Sequence, residues 1–134
     1  MNAAANEGRK IKILLVDDEQ DITKVLKMGL EKNGIYLVES FNDPKSALSH
    51  FKPNYYDVII LDIRMPGMDG FRLSREIWKR DKNAQICFMT AFEIYEKEAR
   101  AVFPHLPSYC FLKKPIMIKT LDNHIQAHML QRTR

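Results

Sequence analysis

Five short apolar runs, separated by amphipathic stretches of helical length, constrain this chain more than any other feature. The runs are IKILLV (11–16), IYLVE (35–39), DVIIL (57–61), QICFM (85–89) and SYCFL (108–112). Each is of strand length and rich in β-branched, aromatic or aliphatic residues. Between the first two, EQDITKVLKMGLEKNG sets Ile22, Val25, Leu26 and Leu30 on one helical face, and Asn33-Gly34 offers a left-handed stop. NDPKSALSHF predicts a shorter helix, with Asp43 as N-cap and Pro44 in the first turn. Phe71, Leu73, Ile77 and Trp78 predict a third helix over about 69–80. A fourth, over 93–103, is cut short by Pro104 and Pro107, and Ile118, Leu121 and Ile125 recur at helical spacing in a last one.

Strand–helix alternation requires crossover connections, and right-handed crossovers give a parallel sheet covered by helices on both faces. The expected class is therefore α/β, a doubly wound five-stranded parallel sheet. A chain of 134 residues suits one such domain. It is placed at residues 10–131, after a frayed polar arm at 1–9 and before a short tail at 132–134.

Composition excludes several classes. With 46% hydrophobic and 28% charged residues the chain is too apolar for disorder. No apolar run approaches the ~20 residues of a membrane-spanning helix, and MNAAANEGRK lacks the apolar middle of a signal peptide, so the cytoplasm is the expected location. Cys87 and Cys110 have neither a CxxC pattern nor a His in metal-ligand spacing and read as core hydrophobes. The net charge of +4 is scattered, and even with the basic segment HIQAHMLQRTR it gives a nucleic-acid partner little support. His50, His105, His124 and His128 fall on helices or a turn and read as surface or interfacial residues. His124 and His128 stand four apart, but no acidic residue or Cys completes a metal set.

In open parallel sheets, ligands bind beyond the carboxyl ends of the strands. Asp17-Asp18-Glu19 follows the first strand, Asp62 ends the third, Thr90-Ala91 the fourth, and Lys113-Lys114-Pro115 the fifth. Singly, each Asp reads as a turn former. Together, three aspartates at one edge repel unless a cation sits among them. Oxygen donors without His or Cys point to Mg2+, which commonly shares its shell with a phosphoryl group. A carboxylate can itself accept that group while a metal and an ammonium offset the charge and a hydroxyl donates. Asp62, ending the central strand, is the candidate nucleophile.

ILLVDDEQD, DVIILDIRMPGMDG, MTAF and FLKKP, in that order, make residues 10–131 resemble the receiver domains of two-component response regulators. The resemblance implies a flavodoxin-like fold with strand order 2-1-3-4-5 and phosphoryl transfer to Asp62 from a sensor histidine kinase or phosphotransfer protein. It implies Asp18 as a direct Mg2+ ligand, Asp17 acting largely through water, and the main-chain carbonyl of Arg64 in the same shell. Thr90 would bond the phosphoryl group and Lys114, rather than Lys113, would pair with it. Thr90 and Phe111 would form the switch, and the Lys114-Pro115 bond would be cis. Such a domain catalyses only its own phosphorylation and dephosphorylation. It acts as a monomer or a phosphorylation-dependent dimer on a downstream effector.

The chain departs from the family at Phe111, where many members carry Tyr. It departs again at AVFPHLPSYC, which replaces a small Gly-Ala turn and alters the face formed by the last two helices and last strand. Arg64 and Phe92 occupy positions that influence water access in the family. A flavodoxin is disfavoured because Asp17-Asp18-Glu19 would repel its flavin phosphate. A haloacid dehalogenase-like phosphatase needs a second Asp where Arg64 stands. The remaining alternative is a receiver-like interaction module that is never phosphorylated.

Overall fold

The computed structural model describes residues 9–91, 97, 98, 100, 101, 104 and 111–132. Along the chain run β1 (Ile11–Val16), α1 (Gln20–Glu31), β2 (Tyr36–Phe41), α2 (Pro44–Ser49), β3 (Val58–Asp62), α3 (Gly70–Arg80), β4 (Ile86–Thr90), β5 (Phe111–Lys113) and α4 (Ile118–Arg132). The helix expected over 93–103 lies mostly outside the described residues, although 97, 98, 100 and 101 are helical. Phe92, His105, Pro107, Cys110 and residues 1–8 also lie outside them. Among the described residues no helix is long and apolar enough to cross a membrane.

All strands pair in parallel in the order β2-β1-β3-β4-β5, the doubly wound arrangement expected. Side chains alternate across the pleat, so successive residues of each strand enter opposite cores. Leu14, Val16, Ile59, Leu61 and Phe88 pack with Ala47 of α2 and Leu73 and Ile77 of α3 on one face. Ile13, Leu15, Ile60, Cys87 and Met89 pack with Leu26 and Leu30 of α1 and Leu121, Ile125 and Met129 of α4 on the other. The unbroken apolar runs of β1 and β3 are thus explained by burial on both sides.

Local signals placed the short helices well. Asp43 accepts from Ser46 N–H at 3.1 Å, with Pro44 opening α2 behind it. Asp69 accepts from Arg72 N–H at 2.9 Å at the start of α3. Gly34, just beyond α1, has φ +81°, a conformation that costs glycine little. Across the sheet, the buried Tyr36 hydroxyl donates to Asp122 and accepts from Gln126 Nε2 at 2.8 Å, tying β2 to α4.

Two expectations are corrected. Val25 does not share the buried face of α1, being 63% exposed. At 100° per residue it stands about 140° around the helix from Leu30, at the far edge of the stripe. His128 is not at the surface but 1% exposed. Its Nε2 lies 2.8 Å from Cys87 Sγ and its Nδ1 3.3 Å from Gln85 Oε1, and burial pushes its pKa down to about 4. Helical spacing paired His128 with His124, whereas the sheet sets a cysteine against it from 41 residues away.

Truncating Ile60→Ala in the doubly covered strand is expected to cost about 2–5 kcal/mol. Val25→Ala should stay within about 0.5 kcal/mol. Equilibrium urea unfolding of the two variants measures the contrast.

Candidate functional site

The register of β1 on β3 builds the site. Val16 pairs with Leu61, so the residues that follow, Asp17 and Asp62, leave the sheet side by side. Asp17 is held rigidly: its N–H donates to Phe41 O at 3.2 Å, and its carbonyl accepts from Asn42 Nδ2 at 2.9 Å. Its Oδ1 accepts from Glu19 N–H at 2.9 Å. Asp62 is the last residue of β3, as expected. The chain then turns through Pro66-Gly67 into α3, where Gly70 N–H donates to Ile63 O at 2.7 Å. A Cβ on Gly70 would stand 2.3 Å from the carbonyl oxygen of Asp62, so only glycine lets α3 begin this close to Asp62.

Pairing of β4 with β5 brings the remaining groups. Thr90 faces Lys113 in register, and Lys114 N–H donates to Thr90 O at 2.9 Å. Lys114 Nζ then stands 2.7 Å from Asp17 Oδ2 and 3.4 Å from both Asp62 Oδ1 and Glu19 Oε1. The Lys114-Pro115 bond is cis. Lys113 is exposed at the end of β5.

Carboxylate oxygens of Asp17, Asp18 and Asp62 lie within 4.8 Å of one another. Asp17 and Asp62 are buried, and Asp18 is exposed. Beside them opens a cavity of about 450 Å³ lined by Asp18, Glu19, Asp62, Arg64, Thr90 and Lys114, with Met65, Pro66 and Ala91. Burial raises the Asp62 pKa to about 7; the charges of Asp17 and, less, Asp18 push the same way, and Lys114 opposes them. Burial alone would lower the Lys114 pKa, but bonding to Asp17 and the charge of Asp62 outweigh it and raise it.

The donor set fits a hard divalent cation such as Mg2+. It offers three carboxylates without His or Cys, and the Lys114 ammonium meets two of them, Asp17 and Asp62. Asp17 Oδ2 is buried and meets only that ammonium among the described residues.

The sequence-predicted residues Asp17, Asp18, Asp62, Arg64, Thr90 and Lys114 therefore meet at one strand edge. Phe111 lies one layer below, 9% exposed, its ring 5.9 Å from that of Phe88, with the Arg100 guanidinium 4.9 Å above it. Two contributors were missed. Glu19 reaches Lys114, a role hidden because it was read as part of the acidic turn. Gly70 touches the Asp62 backbone, and the only signal was a glycine at the start of the third helix.

Comparison with known proteins follows the same lines. Residues 13–126 match the family described as response regulator receiver domain. The chain is 36% identical over 124 residues to the probable transcriptional regulator ycf27 of Guillardia theta, covering 92% of this chain and 47% of that protein. It is 30% identical over 119 residues to the response regulator receiver protein CpdR of Brucella abortus, covering 89% and 97%. The non-phosphorylated HemR receiver domain from Leptospira biflexa superposes with a TM-score of 0.77 at 29% identity, covering 90% of this chain and 94% of that one. The chain spans about half the length, or less, of most of the curated relatives it matches.

The Asp62 pKa carries a prediction for metal-free protein. The folded state keeps this proton up to about pH 7, whereas an unfolded Asp releases it near 4. Folded protein therefore binds more protons between those values, and stability falls as pH rises through that window. Asp62→Asn should remove that fall and be more stable than wild type above pH 7 by up to roughly 4 kcal/mol. Denaturant titrations at pH 5 and pH 8 in chelator check it.

Proposed function

The chain belongs to the response regulator receiver family of two-component signalling, and on that premise we propose that Asp62 is its phosphoacceptor. The donor is a phosphohistidine on a sensor histidine kinase or phosphotransfer protein. The observation that carries the reading is the convergence of three carboxylates within 4.8 Å beside one shared ammonium. A structural role for Asp62 would not require its charge to be crowded by two others in a buried edge.

In the transfer, an Asp62 oxygen forms a bond to phosphorus as the phosphorus–nitrogen bond of the donor breaks. The imidazole leaves with the electron pair and takes up a proton. Lys114, already within 3.4 Å of Asp62, turns its ammonium from Asp17 toward the new phosphoryl oxygens. Thr90, at the adjacent strand end, donates its hydroxyl to another. Asp17, Asp18, Asp62 and the main-chain carbonyl of Arg64 would hold Mg2+, which would supply the charge that lets a dianionic group rest among acids.

The signal then passes by population shift. Movement of Thr90 toward the phosphoryl group relieves the layer beneath it, where Phe111 stacks near Phe88. Without a hydroxyl on Phe111 the response rests on packing alone.

The donor protein has an approach beside the acidic cavity. A groove of about 450 Å³ lined by Ile22, Val25, Leu26, Pro115 and Ile116 shares Glu19, Ala91 and Lys114 with the acidic cavity. Any protein presenting a histidine to Asp62 lies over this apolar rim.

Treatment with a small phosphodonor and Mg2+ should add one phosphate by intact mass. Asp62→Asn or chelation should abolish the addition, and phosphorylation persisting in Asp62→Asn would defeat the proposal. Val25→Asp should slow transfer from a phosphohistidine-bearing protein at least roughly tenfold while leaving small-donor rates within about twofold. Equal loss with both donors would place Val25 outside the docking rim.

A further inference from the structure

Glu19 breaks a local rule. It stands at the N-cap of α1, where Ser, Thr, Asp or Asn is favoured because a short side chain accepts from the free amides of the first turn. The Glu19 side chain makes no such bond. Its carbonyl accepts from Ile22 and Thr23, and its own N–H donates to Asp17, so its backbone is fixed while its carboxylate reaches away to Lys114 at 3.4 Å. Glu19 lines both the acidic cavity and the apolar groove, at the seam between them. A local preference given up at a pocket mouth points to use in the pocket.

Charge decides what that use is. Asp17, Asp18 and Asp62 form the cluster suited to a divalent cation, and Glu19 is outside it. Its counter-charge is the Lys114 ammonium, which it shares with Asp17 and Asp62. Once an incoming phosphoryl group recruits Lys114, Glu19 faces the donor's oxygens without compensation. Its repulsion then scales with donor charge, twice as strong for a dianion as for a monoanion. With 62% of its side chain exposed, the effect is screened by salt.

We propose that Glu19 sets the charge selectivity of the phosphoacceptor pocket, discriminating against free dianionic phosphodonors in favour of less charged ones. The inference rests on the reading of Asp62 as phosphoacceptor. Glu19 does not touch the reacting atoms; it is a specificity-determining residue acting through Lys114 and the field at the pocket mouth.

The test uses the full chain with Mg2+ near pH 7 and two probes: acetyl phosphate, a dianion there, and phosphoramidate, a monoanion. Glu19→Gln should raise the second-order rate constant for acetyl phosphate roughly three- to tenfold at low ionic strength, and that for phosphoramidate by no more than about half as much on a logarithmic scale. The gap should close at about 0.5 M salt. Glu19→Asp, which keeps the charge, should keep the wild-type ratio between donors. Equal change with both donors, a salt-independent change, or Glu19→Asp behaving as Glu19→Gln would overturn the proposal. Wild type taking phosphate from neither probe would instead defeat the reading of Asp62, which separates the two failures.

Discussion

Parallel pairing of Val16 with Leu61 is the contact on which the site depends. It makes the ends of two strands that are 45 residues apart coincide, so that Asp17 and Asp62 emerge together. A one-residue slip of register would move every side chain of β3 to the opposite face and turn Asp62 away from its partners. The two buried cores hold that register, since Leu61 and Val16 share one and Ile60 and Leu15 the other. Hydrophobic packing thus sets the geometry of a cluster that contains no apolar group.

The same packing makes the cluster electrostatically costly. Burial removes water from Asp62 while Asp17 and Asp18 crowd it, and the Lys114 ammonium is shared among Asp17, Asp62 and Glu19. Such an arrangement favours whatever brings positive charge or consumes negative charge. A divalent cation does the first, and proton uptake by Asp62 does the second. Gly70 and the cap of α3 keep the backbone from relaxing away from this tension, because α3 begins in contact with the carbonyl of Asp62.

Legibility varied with the range of the interaction responsible. The cap Asp43, the glycine after α1 and the buried strands β1 and β3 follow from residues within a few positions of one another, and they were readable. Val25 was misread because a stripe of four apolar residues has an edge, and which edge residue is covered depends on the neighbouring helix. His128 was misread because helical spacing reports only its own helix, whereas Cys87 and Gln85 reach it from β4. Glu19 was read only as part of the acidic turn because its partner Lys114 lies 95 residues away.

The sequence by itself determined the order of strands and helices, the starts of α2 and α3, and the residue types carried to each strand end. These depend on periodicity, capping and turn chemistry, which act over one or two turns of chain. Only the tertiary structure decided the distances: that Lys114 stands nearer Asp17 than Asp62, that Asp17 is sealed while Asp18 stays open, and that Glu19 abandons its helix for the lysine. Those outcomes are set by strand register and by the loss of solvent around charges, and both arise only when distant segments pack together.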